Sequence, residues 1–354
     1  MSALRNLGSM RFFKGIIVSK FNDSIILFGG SSEERLVSVA SAQNLAKTVP
    51  EAELWFLNQE GGIHPVTGEE LATHADPFMK AFKPAKPALH PDFKSAVKAL
   101  AGKSVIICLH GTEGEDGTLQ LILETNKVKF TGSGSEASSL AFDKVATKGL
   151  AKTNNLPVVT DLSLTSFSEA EETALNGFFA LHKKIVLKPL ANGSSVGLYI
   201  IDKAEELKKA FSELKAKQIG PYMAEPFITG REITVGVWEK SKGKNIALPC
   251  SEVKVIKGRQ FDYEGKYLGS GVQELTPAPL TKEQAEECQR IALSLHELVG
   301  CTGYSRTDMI LTDDGPFLLE INTLPGLSKA SFIPQQLAAM GVSLRAFFES
   351  QLAL

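Results

Sequence analysis

Several features that would assign a protein to a special class are missing from this sequence. Its four cysteines are scattered, without a CxxC pair or a metal-binding spacing, so a disulfide framework is not indicated. No apolar run approaches the ~20 residues that span a bilayer. A formal net charge of −2 provides no basic field for nucleic acid. These absences favour a protein of a reducing compartment that binds neither membranes nor nucleic acid.

Two common nucleotide-binding signatures are missing as well. Glycines follow the apolar run 24–28, but the G-x-G-x-x-G fingerprint of dinucleotide-binding folds does not occur there. The small-residue stretch 191–197 lies between two apolar runs, whereas a Walker loop leads into a helix and carries its own lysine. A dinucleotide is therefore not favoured, and the stretch 191–197 does not fit a Walker loop.

What the sequence does contain is enough apolar material for a large core. A chain of 354 residues with 43% hydrophobic and 22% charged residues corresponds to about two or three domains of ordinary size. We find no internal repeats and no low-complexity segment. Residues 1–22 carry basic residues around an apolar stretch too short and broken for a signal peptide, so we interpret them as an extension.

The first third of the chain predicts a doubly wound α/β domain. The strand 24–28 ends at Gly29 and Gly30, and acidic residues then begin a helix that runs towards Lys47. Residues 52–57 and 105–109 are the next predicted strands, residues 65–91 are rich in loop formers, and a helix is expected over 91–101. Domains of this type bind ligands at the carboxyl ends of their strands.

The third predicted strand ends in HGTEGEDG, residues 110–117. Three glycines let the backbone pass close to a ligand, and the acids between them can bind an amine. A lone histidine at a strand end is more often structural than catalytic. The dense glycine and acid pattern around His110 nevertheless favours a site, because polar residues at strand ends are where such folds bind ligands.

The middle of the chain carries one candidate phosphate-binding lysine, Lys188. A helix is expected over 141–151 with Lys144 and Lys148, and the strand 184–189 carries Lys188 among apolar residues. The loop 191–197 after that strand can fold its N–H groups over phosphates while Lys188 contributes a charge. An ordinary hairpin with a mobile tip is the alternative, although an unpaired interior ammonium is costly.

The next segment is predicted to link two lobes. Residues 223–228 are short, apolar and proline-bearing, which is typical of a connector. Glu225 and Glu232 flank it, either as solvated surface acids or as contacts to a ribose. Residues 261–267 form a polar, glycine-bearing loop that could close over a ligand.

Residues 304–326 predict a hairpin with a turn at 312–315. Side chains at facing positions of such a pair point to the same side, which places Asp308 opposite Glu320 and Asn322. Two carboxylates and an amide form an all-oxygen set of the kind that Mg²⁺ takes beside phosphates. The alternative is an amphipathic hairpin with its polar residues in water, and this stretch alone does not decide between the two.

Four motifs together resemble one family. HGTEGEDG at 110–117, KPLANGSSVG at 188–197, DYEGKY at 262–267 and R-x-D…LLEINTLPG at 306–326 are similar to the motifs of D-alanine–D-alanine ligases of the ATP-grasp superfamily, in family order and spacing. The resemblance implies an α/β (α+β ATP-grasp) fold. It comprises the extension 1–22, an N-terminal doubly wound substrate-binding domain 23–132, a central lid domain 133–226 and a C-terminal domain 227–354 with the metal and catalytic site.

The resemblance also implies a role for each matching residue. ATP would contact Lys144 and Lys188 at its phosphates, Glu225, Phe227 and Ile228 at adenine, and Glu232 at the ribose. Two Mg²⁺ ions, or Mn²⁺, would bind Asp308, Glu320 and Asn322. Glu34, Ser38, Ser194 and Tyr267 match positions around the first D-alanine. The remaining substrate and intermediate contacts would be His110, Lys266, Arg306, Gly326 and Ser331. Glu34, Ser194, Tyr267 and Arg306 are the predicted catalytic residues.

The implied reaction is ATP-dependent joining of two D-alanines through D-alanyl phosphate, with release of ADP and phosphate, for peptidoglycan precursor synthesis in the cytoplasm. The partners would be small-molecule substrates, and the family is often dimeric. Two alternatives stay open: a ligase with D-lactate or D-serine as acceptor, and a non-catalytic ATP-grasp protein that binds nucleotide. Leu36, Asn192, Thr307 and Ala330 depart from the usual family pattern, and none of these departures removes a proposed ligand.

Replacement of Tyr267 by Phe tests the acceptor preference. Tyrosine at this position resembles the dipeptide-forming type, so Tyr267→Phe should shift the preference from D-alanine towards D-lactate. The measurement is the ratio of kcat/KM for the two acceptors. An unchanged ratio would remove Tyr267 from specificity.

Overall fold

The computed structural model describes residues 19–190, 197–217, 219–255 and 272–354. Within these ranges the chain forms three sheets. The first has the order β3-β2-β1-β4-β5, with β3 antiparallel and the other strands parallel. Its strands are β1 Ser24–Gly29, β2 Glu53–Leu57, β3 Ile63–Val66, β4 Ser104–Ile107 and β5 Lys129–Phe130, and a 3-10 helix, Lys20–Asp23, precedes them.

Helices cover both faces of this first sheet. They are α1 Arg35–Thr48, α2 Gly68–Thr73, α3 Phe93–Ala96 with a 3-10 turn Val97–Leu100, α4 Thr112–Glu115 and α5 Thr118–Thr125. Alternate residues of β1 enter two separate cores: Ile26 packs with Leu45 of α1, and Ile25 packs in the cluster that holds Leu123 of α5. The predicted doubly wound domain is confirmed, and β3 and α2 are elements that the loop-rich composition of 65–91 concealed.

The second sheet is antiparallel, with the order β6-β9-β7-β8. Its strands are β6 Leu162–Leu164, β7 Ile185–Pro189, β8 Tyr199–Ile201 and β9 Tyr222–Pro226, and α8 Glu169–His182 and α9 Ala204–Lys217 complete its core. The prediction of a connector over 223–228 is wrong for its first four residues. Residues 223–226 belong to β9, a strand paired on both sides, and only residues 227–230 link the two sheets.

The third sheet is antiparallel and has the order β13-β12-β10-β14-β15, with β11 paired to β10. Its strands are β10 Arg231–Ser241, β11 Lys244–Ala247, β12 Ser251–Val255, β13 Val272–Leu275, β14 Tyr304–Thr312 and β15 Gly315–Asn322. The helices of this part are α10 Lys282–Val299, α11 Phe332–Ala339 and α12 Leu344–Gln351. The hairpin predicted from 304–326 is therefore β14 and β15, and it forms one edge of this sheet.

The helix expected over 141–151 is two helices, α6 Ser135–Phe142 and α7 Lys144–Thr153. Asp143 separates them because its backbone is extended and its carboxylate accepts hydrogen bonds from the N–H groups of Val145 and Ala146. Ala141 and Ala151 pack into the core of the third sheet. The domain boundaries at 132/133 and 226/227 stay predictions.

The first and third sheets share one core. Phe28 and Phe56 of the first sheet belong to the same buried cluster as Tyr304, Phe347 and Phe348. This shared core fixes the carboxyl ends of β1 and β4 against the hairpin. No helix in the described ranges is long and apolar enough to cross a membrane.

Acid should weaken the fold through His296 of α10. The imidazole is fully buried, with Nδ1 2.7 Å from Ser305 Oγ, and burial lowers its pKa to about 4. A histidine in the unfolded chain has a pKa of ~6.5. Between pH ~6.5 and ~4 the unfolded state therefore binds a proton at His296 and the folded state does not, which favours unfolding. The folded state should lose about 3 kcal/mol over this window through His296.

The measurement is the urea midpoint of unfolding between pH 7 and pH 4.5, for the wild type and for His296→Leu. The variant should show a shallower decline, because leucine binds no proton. The same slope in both proteins would contradict this account of His296.

Candidate active site

One cleft lies between the third sheet, residues 323–332 and the carboxyl ends of the first sheet's strands. It holds about 1230 Å³ of space not filled by protein atoms, including space open to solvent. It brings together most of the predicted site residues that the structure describes, namely Glu34, His110, Lys144, Glu232, Arg306, Asp308, Glu320, Asn322, Gly326 and Ser331. The structure therefore brings residues of the motifs 110–117 and 306–326 together in one cleft.

A β-bulge decides which side chains of the hairpin face this cleft. The two-residue loop pairs Thr312 with Gly315, and a regular ladder from there would pair Asp308 with Leu319. Instead Asp308 pairs with Glu320 and Met309 pairs with Leu318, which leaves Leu319 as the extra residue. In the regular register Glu320 would point to the buried face, whereas the bulge turns it to the side of Asp308.

The neighbouring chain supports this irregularity. The N–H of Leu318 donates to the carbonyl oxygen of Pro157 at 2.8 Å, and Val158 forms an isolated parallel bridge with Leu318. Leu318 and Ile321 stay in the core on either side of the extra residue, so the bulge shifts the phase of the strand without exposing its apolar face.

Asp308 is the centre of the polar contacts on the hairpin. Arg306 donates to both of its oxygens, from Nε at 2.9 Å and from Nη2 at 2.7 Å. Thr234 Oγ1 of β10 lies 2.5 Å from Oδ1, and Asn322 Nδ2 lies 3.2 Å from Oδ2. Such charge-assisted bonds are strong, and they hold the aspartate in one orientation.

The donor set suits a hard divalent cation that also binds substrate oxygens. Asp308 and Glu320 supply carboxylates at facing positions, and Asn322 supplies an amide two residues along the same strand. Among the described residues, no group of three His, Cys, Asp or Glu side chains could hold a metal ion. A cation here would need oxygens from a phosphate, which is how proteins usually bind Mg²⁺.

His110 has both ring nitrogens engaged by protein groups. Nδ1 is 2.8 Å from the carbonyl oxygen of Leu324, which can only accept, so Nδ1 carries the proton. Nε2 then accepts from Ser41 Oγ at 3.0 Å, and Ser41 Oγ in turn accepts from the N–H of Leu327 at 3.1 Å. Burial lowers the pKa of His110, which keeps the ring neutral. This chain of bonds ties α1 and the end of β4 to the segment that contains Gly326.

Ser38 and Glu34 lie differently in relation to the cleft. The Ser38 hydroxyl is fully buried, donates to the carbonyl of Cys108 and accepts from the N–H of Gly29, so it supports the strand ends. Glu34 precedes α1 and lines the cleft beside Gly111. A Cβ at Gly111 would lie 3.2 Å from Glu34 Oε2, and its φ of +73° also favours glycine.

Gly326 and Ser331 both line the cleft and lie against each other. A Cβ at Gly326 would approach Ser331 Oγ to 2.7 Å, closer than real side chains come, so glycine is required unless the serine moves. Ser331 immediately precedes α11, and its Oγ lies 2.8 Å from Ser328 Oγ. Because Gly326 has no side chain, its backbone is exposed to the cleft.

The predicted nucleotide residues lie on α7, on β7 and β9 of the second sheet, on the link after β9 and on β10 of the third sheet. Lys188 Nζ lies 2.7 Å from Glu225 Oε2, and Lys144 Nζ lies 3.3 Å from Glu320 Oε2. Lys184 Nζ lies 3.8 Å above the ring of Phe227. Lys188, Glu225, Phe227 and Ile228 do not line the cleft described above, although Lys144 and Glu232 do.

The cleft residues that the sequence did not predict include Glu115, Glu274 and Thr234. Burial and the nearby Glu34 raise the pKa of Glu115 to about 8, and burial raises the pKa of Glu274. Thr234 faces Asp308 across the β10–β14 pairing. Glu115 belongs to the acid-rich motif 110–117 and could have been chosen, whereas β13 and β10 carry no such signal. Ser194, Lys266 and Tyr267 lie outside the described residues.

Comparison with known proteins agrees with this geometry. Two family models match, D-ala D-ala ligase N-terminus over residues 23–133 and D-ala D-ala ligase C-terminus over residues 146–352. The D-alanine--D-alanine ligase of Leptospira biflexa is 32% identical over 340 residues, which cover 91% of this chain and 95% of that protein.

The chain belongs to the D-alanine–D-alanine ligase family.

Solved structures of the family have the same fold. The VanG D-Ala:D-Ser ligase from Enterococcus faecalis is 25% identical and covers 93% of this chain and 98% of its own, with a TM-score of 0.74. The D-alanyl-alanine synthetase A of Vibrio cholerae has a TM-score of 0.76 at 24% identity, covering 93% and 97% of the two chains. The predicted family, ATP-grasp fold and ADP-forming ligase class are confirmed.

Removal of the Ser41 hydroxyl tests the tether at His110. Ser41→Ala removes the donor to His110 Nε2 and the acceptor for the N–H of Leu327, leaving two buried groups unsatisfied. We expect a loss of about 1–3 kcal/mol of stability together with lower activity, because residues 324–327 are no longer fixed.

Ser138→Ala is the matched control, since this buried serine makes a single long bond of 3.4 Å to the carbonyl of Ser133. The thermal midpoint and kcat are measured for both variants. A Ser41→Ala protein as stable and active as Ser138→Ala would show that the tether contributes nothing.

Proposed function

We propose that the protein joins two D-alanine molecules in an ATP-dependent reaction that proceeds through D-alanyl phosphate and releases ADP and phosphate. The observation that carries the proposal is the bulged hairpin, which presents Asp308, Glu320 and Asn322 on one side, with Arg306 beside them. The same cleft contains Glu34, which immediately precedes α1, and the backbone of Gly326.

The first step activates a carboxylate. A carboxylate is a poor electrophile, so one oxygen of the first D-alanine attacks the γ-phosphorus of ATP, and the bond to ADP breaks. Glu34 holds the ammonium group of this D-alanine. Lys144 and Lys188 bind phosphate oxygens, and their charges stabilise the transferring phosphoryl group mainly by position and electrostatics.

Asp308, Glu320 and Asn322 would hold the divalent cations, which we propose to be two Mg²⁺ ions, with Mn²⁺ as a substitute. Cations bound there would neutralise charge on the phosphates. Glu225, Phe227 and Ile228 are proposed to contact adenine, and Glu232 the ribose. Because these residues lie on β9, β10 and the link between them, the nucleotide would lie between the second and third sheets.

The second step forms the peptide bond. The amine of the second D-alanine, after losing a proton, attacks the acyl carbon, and phosphate leaves with the oxygen that had joined it to the acyl group. Arg306 and the N–H of Gly326 stabilise the negative oxygen of the tetrahedral intermediate. Ser331 binds the carboxylate of the second D-alanine. His110 acts by positioning residues 324–327, since both of its nitrogens are engaged.

Water must be kept from the acyl phosphate, which would otherwise hydrolyse. Ser194 and the loop with Lys266 and Tyr267 keep their predicted roles in closing the site and contacting substrate. We also propose that the protein acts in the cytoplasm, that its partners are D-alanine and ATP, and that it forms a homodimer. The dipeptide would supply peptidoglycan synthesis.

Two other activities are alternatives to this proposal. The similarity to the VanG D-Ala:D-Ser ligase makes D-serine a specific rival acceptor, while D-lactate is the other alternative from sequence. A protein that only binds nucleotide would not need Arg306 in contact with Asp308 at the wall of the cleft. The relatives named D-alanine--D-alanine ligase favour the dipeptide reaction.

The decisive assay supplies ATP, Mg²⁺ and D-alanine, with D-serine and D-lactate as competing acceptors. D-alanyl-D-alanine, ADP and phosphate should form in equal amounts. AMP as the product, or no turnover with any of these acceptors, would refute the proposal. Mostly D-alanyl-D-serine would refute the proposed acceptor alone.

Glu320→Gln should lower kcat by about a hundredfold or more, since it removes one carboxylate that faces the transferred phosphoryl group. The exposed Glu297→Gln of α10 is the control and should retain wild-type activity. Equal rates in the two variants would exclude Glu320 from the metal site.

A further inference from the structure

Lys148 of α7 is a buried cation to which neither the sequence motifs nor the proposed reaction gives a role. Its side chain is 3% exposed, while Lys144 one turn earlier lines the cleft and Lys152 one turn later lies in solvent. A buried ammonium is costly unless it is paired. The three lysines are four residues apart on one helix and therefore lie along the same face. Their different exposure is explained by the residues that Lys148 contacts.

Lys148 contacts two carboxylates of the second sheet. Its Nζ lies 2.6 Å from Glu225 Oε1 of β9 and 3.1 Å from Oδ1 of Asp161, the residue before β6. The other oxygen of Glu225, Oε2, lies 2.7 Å from Lys188 Nζ. Two lysines and two acids therefore form one compact cluster whose charges balance.

This cluster crosses between two cores. Ala151 of α7 packs into the core of the third sheet, whereas Ala224, next to Glu225, packs into the core of the second sheet. Lys148 thus fixes a strand of the second sheet against a helix that belongs with the third. The proposed nucleotide site lies at this junction.

We propose that Lys148 is a positioning residue for nucleotide binding, acting through Glu225 on Lys188. This inference rests on the proposed nucleotide roles of Glu225 and Lys188. Lys148 occupies one oxygen of Glu225, which orients the carboxylate and leaves it to share only its second oxygen with Lys188. Without the Lys148 charge, Glu225 would hold Lys188 more tightly and in a less defined position, and Lys188 would be less available to phosphates.

Substitution of Lys148 should weaken nucleotide binding and leave D-alanine binding almost unchanged. Lys148→Met is expected to raise the KM for ATP about tenfold or more, because a charged hydrogen bond to Glu225 is lost. The KM for D-alanine should change less than about twofold, since Lys148 lies outside the amino-acid cleft. Lys148→Arg should recover most of the ATP affinity, because it restores the charge.

Lys152→Met is the matched control, because Lys152 lies one turn after Lys148 on the same helix but is exposed. This variant should behave as the wild type. Lys148→Gln serves as a second variant in case methionine prevents folding, since glutamine retains a donor for Glu225. Thermal midpoints report folding in all variants, and a purely structural role for Lys148 would lower them without separating the two KM values.

Binding of ADP with Mg²⁺, measured by calorimetry, separates this inference from the proposed reaction. Weaker ADP binding by Lys148→Gln, with recovery in Lys148→Arg, supports the positioning role even if no dipeptide is formed by the wild type. Unchanged ADP affinity and an unchanged KM for ATP in folded Lys148→Gln would overturn it.

Discussion

The structure of the site depends on how β15 pairs with β14. One extra residue, Leu319, shifts the phase of β15 so that Glu320 and Asn322 join Asp308 instead of entering the core. The core itself is unaffected, because Leu318 and Ile321 remain buried on either side. A hairpin that packs into the core and the proposed cation site therefore share one pair of strands, and the bulge reconciles the two requirements.

Charges around this hairpin are balanced by close partners. Arg306 pairs with Asp308, Lys144 lies near Glu320, and farther out Lys148 and Lys188 enclose Glu225. Apart from Lys148, each of these cations is proposed to bind an anion, and its partner is proposed to bind a divalent cation or adenine. Half-buried charges of both signs would otherwise be costly to hold in a cleft, so the pairing keeps the site formed until substrates replace these partners.

Much of this could be predicted from sequence, because local patterns report local structure. Local patterns correctly predicted the strand over 24–28, the turn at 312–315 and the position of the motif 110–117 in the cleft. The bulge could not be predicted, since deciding which residue of Leu318–Leu319–Glu320 is extra requires the partner strands and the bond from Leu318 to Pro157. Lys148 and Glu274 were missed for the same reason: their partners, Glu225 and Gln335, are distant in the chain.

The central claim is that the cleft transfers a phosphoryl group to a D-alanine carboxylate before the peptide bond forms. Isotope transfer tests it most directly. If D-alanine carries ¹⁸O in both carboxylate oxygens, each phosphate released should contain one ¹⁸O atom, detected by mass spectrometry, because the acyl–oxygen bond breaks in the second step. Phosphate free of ¹⁸O, or label found in AMP, would contradict the account.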